Sequence, residues 1–308
     1  MSLNRGWSYR EQVGSEGAGQ TVLAYLAATR LHSTESEWAA RIERGEVEVE
    51  DTLVRSDVVL HAGQTVVWNR PPWDEAPVPT NFDIIHEDDA ILVVNKPSGL
   101  PTMPAGGFLE HTLLTMVRER HPHASPLHRL GRCTSGLVLF ARTKDAASQL
   151  ARAWRDRAVK KTYRALGLGS TRAEMFVIDV PIGPVSHPMI GTIQAACAGG
   201  RPAHSEAIVL EQRHDQTLFS IDITTGRPHQ IRIHMAYAGH PLIGDSVYEA
   251  GGGLKRHPGL PGDGGYFLHA ERLQFTHPVS SQLMTVTATP PPELQTHQEI
   301  AKAGAGAH

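Results

Sequence analysis

The sequence predicts a mixed α+β protein, with a large domain on a mixed, largely antiparallel sheet preceded by a small α+β module. Three observations predict it. Apolar runs of strand length recur along the chain, bounded by glycine, proline or acidic turns. Helical patterns fall between them without the strict alternation of a doubly wound sheet. A stretch with four prolines, N-R-P-P-W-D-E-A-P-V-P-T-N at 69–81, divides a short first part from a long second part.

Residues 1–17 are polar and glycine-bearing and read as a flexible tail. A helix begins after Thr21, with Val22, Leu23, Leu26 and Ala27 on one face. Thr34 heads T-E-S-E, an N-cap followed by acidic residues in the first turn. Trp38, Ile42 and Ala39 form the buried side of that second helix, and Gly45 stops it. E-V-E-V-E-D alternates with Val47 and Val49 inward, and Q-T-V-V-W-N follows Gly63. These elements make a module over 18–68, with 69–81 as linker.

The second domain is expected over 82–295, followed by a flexible tail at 296–308. Runs at 82–85 and 91–94 read as strands joined by the turn Glu87-Asp88-Asp89. T-L-L-T-M-V-R-E-R-H reads as a helix. G-L-V-L-F-A-R is a continuous apolar strand, hence buried on both faces. D-A-A-S-Q-L-A-R-A-W-R-D-R-A-V-K-K reads as a helix with Leu150 and Trp154 inward, and T-Y-R-A-L-G-L-G as a strand. Two more strands flank His214-Asp215-Gln216. P-H-Q-I-R-I-H-M-A-Y-A-G reads as a helix opening at Arg227-Pro228, because proline suits a first helical turn. Y-F-L-H-A-E-R-L-Q-F-T-H-P reads as a late strand pair.

Bulk properties bound the function. With 308 residues, 40% hydrophobic and 20% charged, the chain can bury a core. No apolar run approaches the roughly 20 residues of a membrane span. M-S-L-N-R-G-W-S-Y-R-E-Q has no apolar signal region, so the expected location is the cytoplasm. Cys133 and Cys197 make neither a disulfide framework nor a cysteine zinc site. A net charge of −3 argues against a nonspecific nucleic-acid coat and leaves room for a local basic cleft. The 18 histidines are scattered, as at His121, His187, His240, His257 and His277, and read as turn and surface residues. None shows the H-E-x-x-H spacing, and no metal site is expected.

Four stretches of the second domain set cations or an aromatic beside glycines. They are N-K-P-S-G-L-P-T-M-P, H-R-L-G-R-C-T-S-G, V-K-K-T-Y-R-A-L and T-T-G-R-P-H-Q-I-R-I-H-M-A-Y-A-G-H-P-L-I-G-D-S-V-Y. Glycine lets a ligand approach the backbone, and arginine offers a planar fork matched to phosphate. Any one of these cations alone reads as a solvated surface residue. Together, Arg129, Arg132, Lys160, Lys161, Arg227 and Arg232 would line a positive cleft, and Tyr163 offers a ring for a base. Other chemistries are poorly served. Ser135 lies in C-T-S-G-L rather than a nucleophile elbow, no phosphate-loop motif is present, and nothing marks Cys133 as an activated thiolate.

The four motifs together resemble the RluA family of RNA pseudouridine synthases, over roughly 82–278. The family signature H-R-L-D-R-x-T-S-G-L compares with His128-Arg129-Leu130-Gly131-Arg132-Cys133-Thr134-Ser135-Gly136-Leu137. K-x-Y appears as Lys161-Thr162-Tyr163, and T-G-R-x-H-Q-I-R-x-H runs from Thr225 to His234. The first module is similar to the S-four-like RNA-binding domain. Its second helix departs from that pattern, with Glu35 and Glu37 where basic residues would be expected, which leaves a purely structural role open.

The resemblance implies isomerisation of uridine to pseudouridine in ribosomal or transfer RNA, by a monomer, without cofactor, membrane or DNA partner. Tyr163 would sit against the uracil and assist proton removal from C5. Arg232 would pair with the catalytic carboxylate. Leu268 would line the base pocket, and Arg129, Arg132, Lys160, Lys161, Arg227 and His229 would meet RNA. The catalytic aspartate, however, falls on Gly131, which can neither attack a sugar nor take a proton. Its loss is expected to leave Arg232 unpartnered. The chain resembles the branch of the family that reads H-R-L-G. Three explanations compete: an inactive RNA-binding relative, a branch in which another group does the work, and an altered residue. Asp145 and Asp156 are the nearby acids on a neighbouring helix, and nothing in the sequence aims them at the pocket.

Overall fold

The computed structural model describes residues 3–305. The chain separates into two compact units with the boundary between Ala76 and Pro77, inside the proline-rich stretch. Among the described residues no helix is long and apolar enough to cross a membrane.

The first unit runs β1 (Trp7–Gln12), α1 (Val22–Thr29), α2 (Glu35–Glu43), β2 (Val47–Val49), β3 (Thr52–Val54) and β4 (Thr65–Arg70). Its strands form an antiparallel sheet in the order β1-β4-β2-β3. α2 starts where the Thr34 hydroxyl accepts from the Glu37 N–H and the Glu37 carboxylate accepts from the Thr34 N–H, a reciprocal cap. Val22, Leu26, Trp38 and Ile42 face Val47, Leu60 and Val66 in the core. Ala39, expected inward, is exposed. The expected tail at 1–17 is instead largely ordered. β1 pairs along the whole of β4, from Trp7 opposite Arg70 to Gln12 opposite Thr65. Only Tyr9 and Glu11 of this edge strand are half-buried, so its sequence carries no apolar period to read. Residues 1 and 2 lie outside the described residues.

The second unit begins with β5 (Asp83–Glu87), β6 (Ile91–Lys96), α3 (Leu113–Arg120), β7 (Ser125–Pro126), β8 (Ser135–Ala141), α4 (Lys144–Arg155) and β9 (Lys160–Leu168). It continues with β10 (Met175–Ile178), β11 (Ile182–His187), β12 (Gly191–Ala196), β13 (Ser205–Arg213), β14 (Gln216–Ile223) and α5 (Gln230–Tyr237). It closes with β15 (Leu268–Thr276), β16 (Leu283–Thr287) and α6 (His297–Ala305). The main sheet follows the order β10-β13-β14-β9-β15-β8-β6-β5, with β16 added on β15 and β7 on β8. Its pairings are antiparallel except β15 with β8, so the mixed, largely antiparallel α+β class holds. β8 is buried on both faces. Leu137, Leu139 and Ala141 join Leu150, Leu273 and Phe275 in one core layer, while Val138 and Phe140 join Leu100, Phe219 and Met235 in the other.

Four sequence expectations are corrected here. α5 starts at Gln230, not at Arg227-Pro228. His229 caps it at φ +58, and Pro228 lies in the turn that precedes the helix, closed by the Gln230 N–H on the Arg227 carbonyl, rather than opening the helix. The late strand pair is one strand, β15, whose partner β16 lies beyond the turn at 277–282. Part of the expected tail at 296–308 is α6, held where Arg164 bonds Glu299 at 2.9 Å and Glu271 at 2.9 Å; residues 306–308 lie outside the described residues. Not every histidine is a turn or surface residue, since His187, His234, His240, His269 and His277 are buried. His234 shows why: it bridges the Ser205 hydroxyl and the Val180 carbonyl, so its polar atoms are satisfied inside.

The parallel contact of β15 with β8 is what brings the start of each strand to one end of the sheet. It is made at His269–Ser135 and Ala270–Gly136. Gly136 has φ +108, and a Cβ there would lie 2.3 Å from the Ala270 carbonyl oxygen. Gly136→Ala is therefore expected to lower stability by at least about 2 kcal/mol. The check is a fall in the urea midpoint at unchanged m-value.

Candidate active-site cleft

The ends of β8, β9, β14 and β15 and the first turns of α5 converge on a cleft of about 310 Å³. The loop before β8 brings His128, Arg129, Leu130 and Gly131, β9 brings Lys161 and Tyr163, and β15 brings Leu268. Gly226, Arg227, His229 and Arg232 arrive from the loop into α5 and from α5 itself. The structure thus gathers Gly131, Tyr163, Arg232, Arg129, Lys161, Arg227, His229 and Leu268 around one space.

Two expected cleft residues lie elsewhere. Arg132 turns away and donates through Nε to the Gly262 carbonyl at 3.2 Å, with its guanidinium 5.6 Å from the Phe108 ring. Its own carbonyl accepts from Gly99 N and Lys96 Nζ. Lys160 lines a neighbouring cavity with Arg157 and Arg272. Side chains alternate along a strand, so Lys160 cannot face the side that Tyr163 faces. Asp145 and Asp156 are exposed and do not line the cleft.

The largest correction concerns Arg232. It is not left without a partner. Its Nε and Nη2 donate to the two Asp245 carboxylate oxygens at 2.6 and 2.8 Å, and Nη1 donates to the Pro261 carbonyl at 3.0 Å. The two side chains are 2% and 1% exposed. Burial alone would raise the Asp245 pKa. The Arg232 guanidinium and the N–H groups of Val247 and Tyr248 hold it below the usual carboxylate range. Every acceptor of Asp245 is thus engaged. The only signal in the sequence was an acid inside the otherwise apolar L-I-G-D-S-V-Y.

Tyr266 was also missed. Its ring stacks on Arg232, with the guanidinium carbon 4.2 Å from the centroid, and its hydroxyl is 3.3 Å from the Thr134 hydroxyl. Lys96 supports the same end of the sheet. Fully buried, it donates to the carbonyls of Pro97, Leu100 and Arg132 at 2.8, 2.7 and 3.1 Å, and burial pushes its pKa down to about 7. Three carbonyls match the three donors of an ammonium and tie the Gly131–Arg132 turn to β6.

Inside the cleft, burial holds three titratable side chains neutral at neutral pH, and the Arg232 guanidinium is paired with Asp245. Burial pushes Tyr163 up to about 12. Burial, with Lys161 adding, pushes His128 down to about 3, and its Nε2 accepts from the Leu139 N–H. Burial, with Arg232 adding, pushes His229 down to about 4, and its Nδ1 is 2.7 Å from the Tyr248 hydroxyl. The rim is cationic, with Arg129 exposed and Arg227 half-buried, while Lys161 is buried in the wall with its ammonium 5.5 Å from the Trp154 ring. An aromatic-walled pocket under a cationic rim suits an unstacked base on a phosphodiester chain.

Residues 90–237 match the family model described as RNA pseudouridylate synthase. An uncharacterized RNA pseudouridine synthase of Synechocystis sp. is 40% identical over 278 residues, covering 89% of this chain and 96% of that protein. RNA pseudouridine synthase 5 of Arabidopsis thaliana is 33% identical over 96% of each chain. Ribosomal large subunit pseudouridine synthase D of Neisseria meningitidis is 34% identical over 91% of this chain and 78% of that one. The solved structure of human RNA pseudouridylate synthase domain containing 1 superposes with a TM-score of 0.56 at 25% identity, covering 74% of this chain and 96% of that one.

The Arg232–Asp245 pair makes an asymmetric prediction. Asp245→Asn removes the charge that compensates a buried guanidinium and is expected to cost about 3–5 kcal/mol. Arg232→Met combined with Asp245→Leu is expected to recover most of that loss, because neither charge is then buried. Urea unfolding of the single and double variants measures both numbers.

Proposed function

The chain belongs to the RNA pseudouridylate synthase family, and we propose that it isomerises uridine to pseudouridine in structured ribosomal or transfer RNA. One observation carries this reading: the base-sized cleft of about 310 Å³ walled by Tyr163, Leu268 and the buried Lys161 beneath the cationic rim of Arg129 and Arg227. The net reaction breaks the C1′–N1 bond, turns the uracil and forms a C1′–C5 bond. A proton leaves C5 and N1 gains one, so neither oxidant nor cofactor is consumed. The target nucleotide must first leave its stack, at a cost of a few kcal/mol. The rim cations meet its phosphates, and the Tyr163 ring backs the base. Relatives named for the ribosomal large subunit favour ribosomal RNA as the first substrate to try.

A second reading is a noncatalytic RNA-binding protein, assisting RNA folding or ribosome assembly. It is favoured by the carboxylates: Gly131 carries none, and Asp245 is committed to Arg232. The first module is a further candidate RNA contact, and the cytoplasm is the proposed location.

Purified protein and uridine-C5-tritiated RNA from cells lacking the gene distinguish the two. Release of tritium, with pseudouridine at a single position, is expected; RNA binding without release would favour the second reading. Binding is expected to weaken with salt at a log–log slope near −2, about −0.7 for each of three phosphate contacts. Arg129→Ala and Arg227→Ala should each lower that slope by about 0.7. Burial, with Arg157 adding, pushes the Lys161 pKa down to about 8. Its charge is present below that pH and lost above it, so the slope should also shrink as the pH rises through about 8. A filter-binding series over salt and pH checks each expectation.

A further inference from the structure

The φ of Gly131 lies outside the left-handed region, so its backbone conformation does not require glycine. What requires glycine is Tyr266. A Cβ on residue 131 would lie 2.6 Å from the Tyr266 hydroxyl oxygen and 3.4 Å from the Thr134 hydroxyl. Tyr266 cannot swing aside cheaply. It is 3% exposed, its ring rests on the Arg232 guanidinium at 4.2 Å, and Arg232 is itself locked by Asp245. The phenolic oxygen therefore occupies the point from which any side chain on residue 131 would project into the cleft. Gly131 and Tyr266 exclude one another's larger alternatives.

We infer that the Tyr266 hydroxyl is a catalytic residue of this chain, donating a hydrogen bond to the uracil as its bond to the sugar breaks. The inference rests on the function proposed above. When the C1′–N1 bond breaks, its electron pair leaves with the uracil, and negative charge spreads over the ring nitrogens and carbonyl oxygens. A neutral donor aimed at that charge stabilises it more than it stabilises the uncharged ground state. Tyr266 meets the requirements. It lines the cleft, and burial keeps its phenol protonated at neutral pH. The guanidinium against its ring face draws electron density from it, which strengthens the O–H as a donor. Among the described residues its hydroxyl has only the long contact to Thr134, which leaves a strong donor for a ligand. The π electrons at C5 of the turned uracil then form the C1′–C5 bond to the electron-poor C1′, the C5 hydrogen leaves as a proton to water, and N1 takes a proton from water. Tyr266 holds its own proton throughout, so no group is consumed.

The test is single-turnover tritium release by the full chain and three variants, with RNA affinity and Tm measured alongside. Tyr266→Phe removes one oxygen and keeps the ring on Arg232. It is expected to slow release by about 100-fold or more, the usual effect of losing one positioned donor. RNA affinity should stay within about twofold of the unaltered chain at a similar Tm. Gly131→Asp is expected to lower both release and Tm, because the carboxylate and the phenol compete for one place. Adding Tyr266→Leu to Gly131→Asp should raise the Tm again. Undiminished release by Tyr266→Phe overturns the inference and leaves the proposed function standing. So does a loss of release matched by an equal loss of RNA affinity, or a Gly131→Asp variant with full rate and Tm. Absence of release by the unaltered chain overturns the proposed function, and this inference with it.

Discussion

The buried Arg232–Asp245 pair is the constraint on which the cleft depends. Both groups lie out of water, so their bidentate geometry must be kept or a charge is stranded. Keeping it joins three segments: α5 through Arg232, the turn after it through Asp245, and the loop before β15 through the Pro261 carbonyl. It also sets the floor on which Tyr266 lies. Once the guanidinium is neutralised from behind, it acts on the cleft through the aromatic ring stacked on it, not as a bare cation.

Charge is thereby sorted by depth. Inside, His128, His229 and Tyr163 are all held in their neutral forms by burial. Outside lie the exposed Arg129 and the half-buried Arg227, and Lys161 stands between the two regimes with its pKa pushed down to about 8. A chain of net charge −3 can thus present a cationic face to a polyanion, because the cations are concentrated at one end of one sheet. The neutral side chains inside let a base enter without competing counter-charges, while the rim supplies salt-sensitive affinity.

Much of this was legible in residue patterns, and the failures share a cause. β8 read correctly because a strand covered on both faces must be continuously apolar, as Gly136 to Ala141 are. α2 read correctly because its start is a local reciprocal hydrogen bond between Thr34 and Glu37. β1 and β16 were missed because edge strands need bury little, so no period appears. Arg132 was misplaced because a cation in a motif does not reveal whether it faces the ligand or a carbonyl such as that of Gly262. The buried histidines were misread because side chains satisfied by backbone carbonyls look, in sequence, like turn residues.

By itself the sequence determined the α+β class, the division near the prolines and the motifs that assemble the cleft, since these depend on local periodicity and short spacings. Only the tertiary structure decided which acid holds Arg232, and why a glycine stands at position 131. Both depend on segments far apart in the chain meeting at one end of the sheet. The parallel contact of β15 with β8 brings Tyr266 to Gly131, and the turn after α5 brings Asp245 beneath Arg232. No local pattern carries a distance of 2.6 Å between a phenol and a missing side chain. Steric exclusion of that kind exists only once the chain is packed.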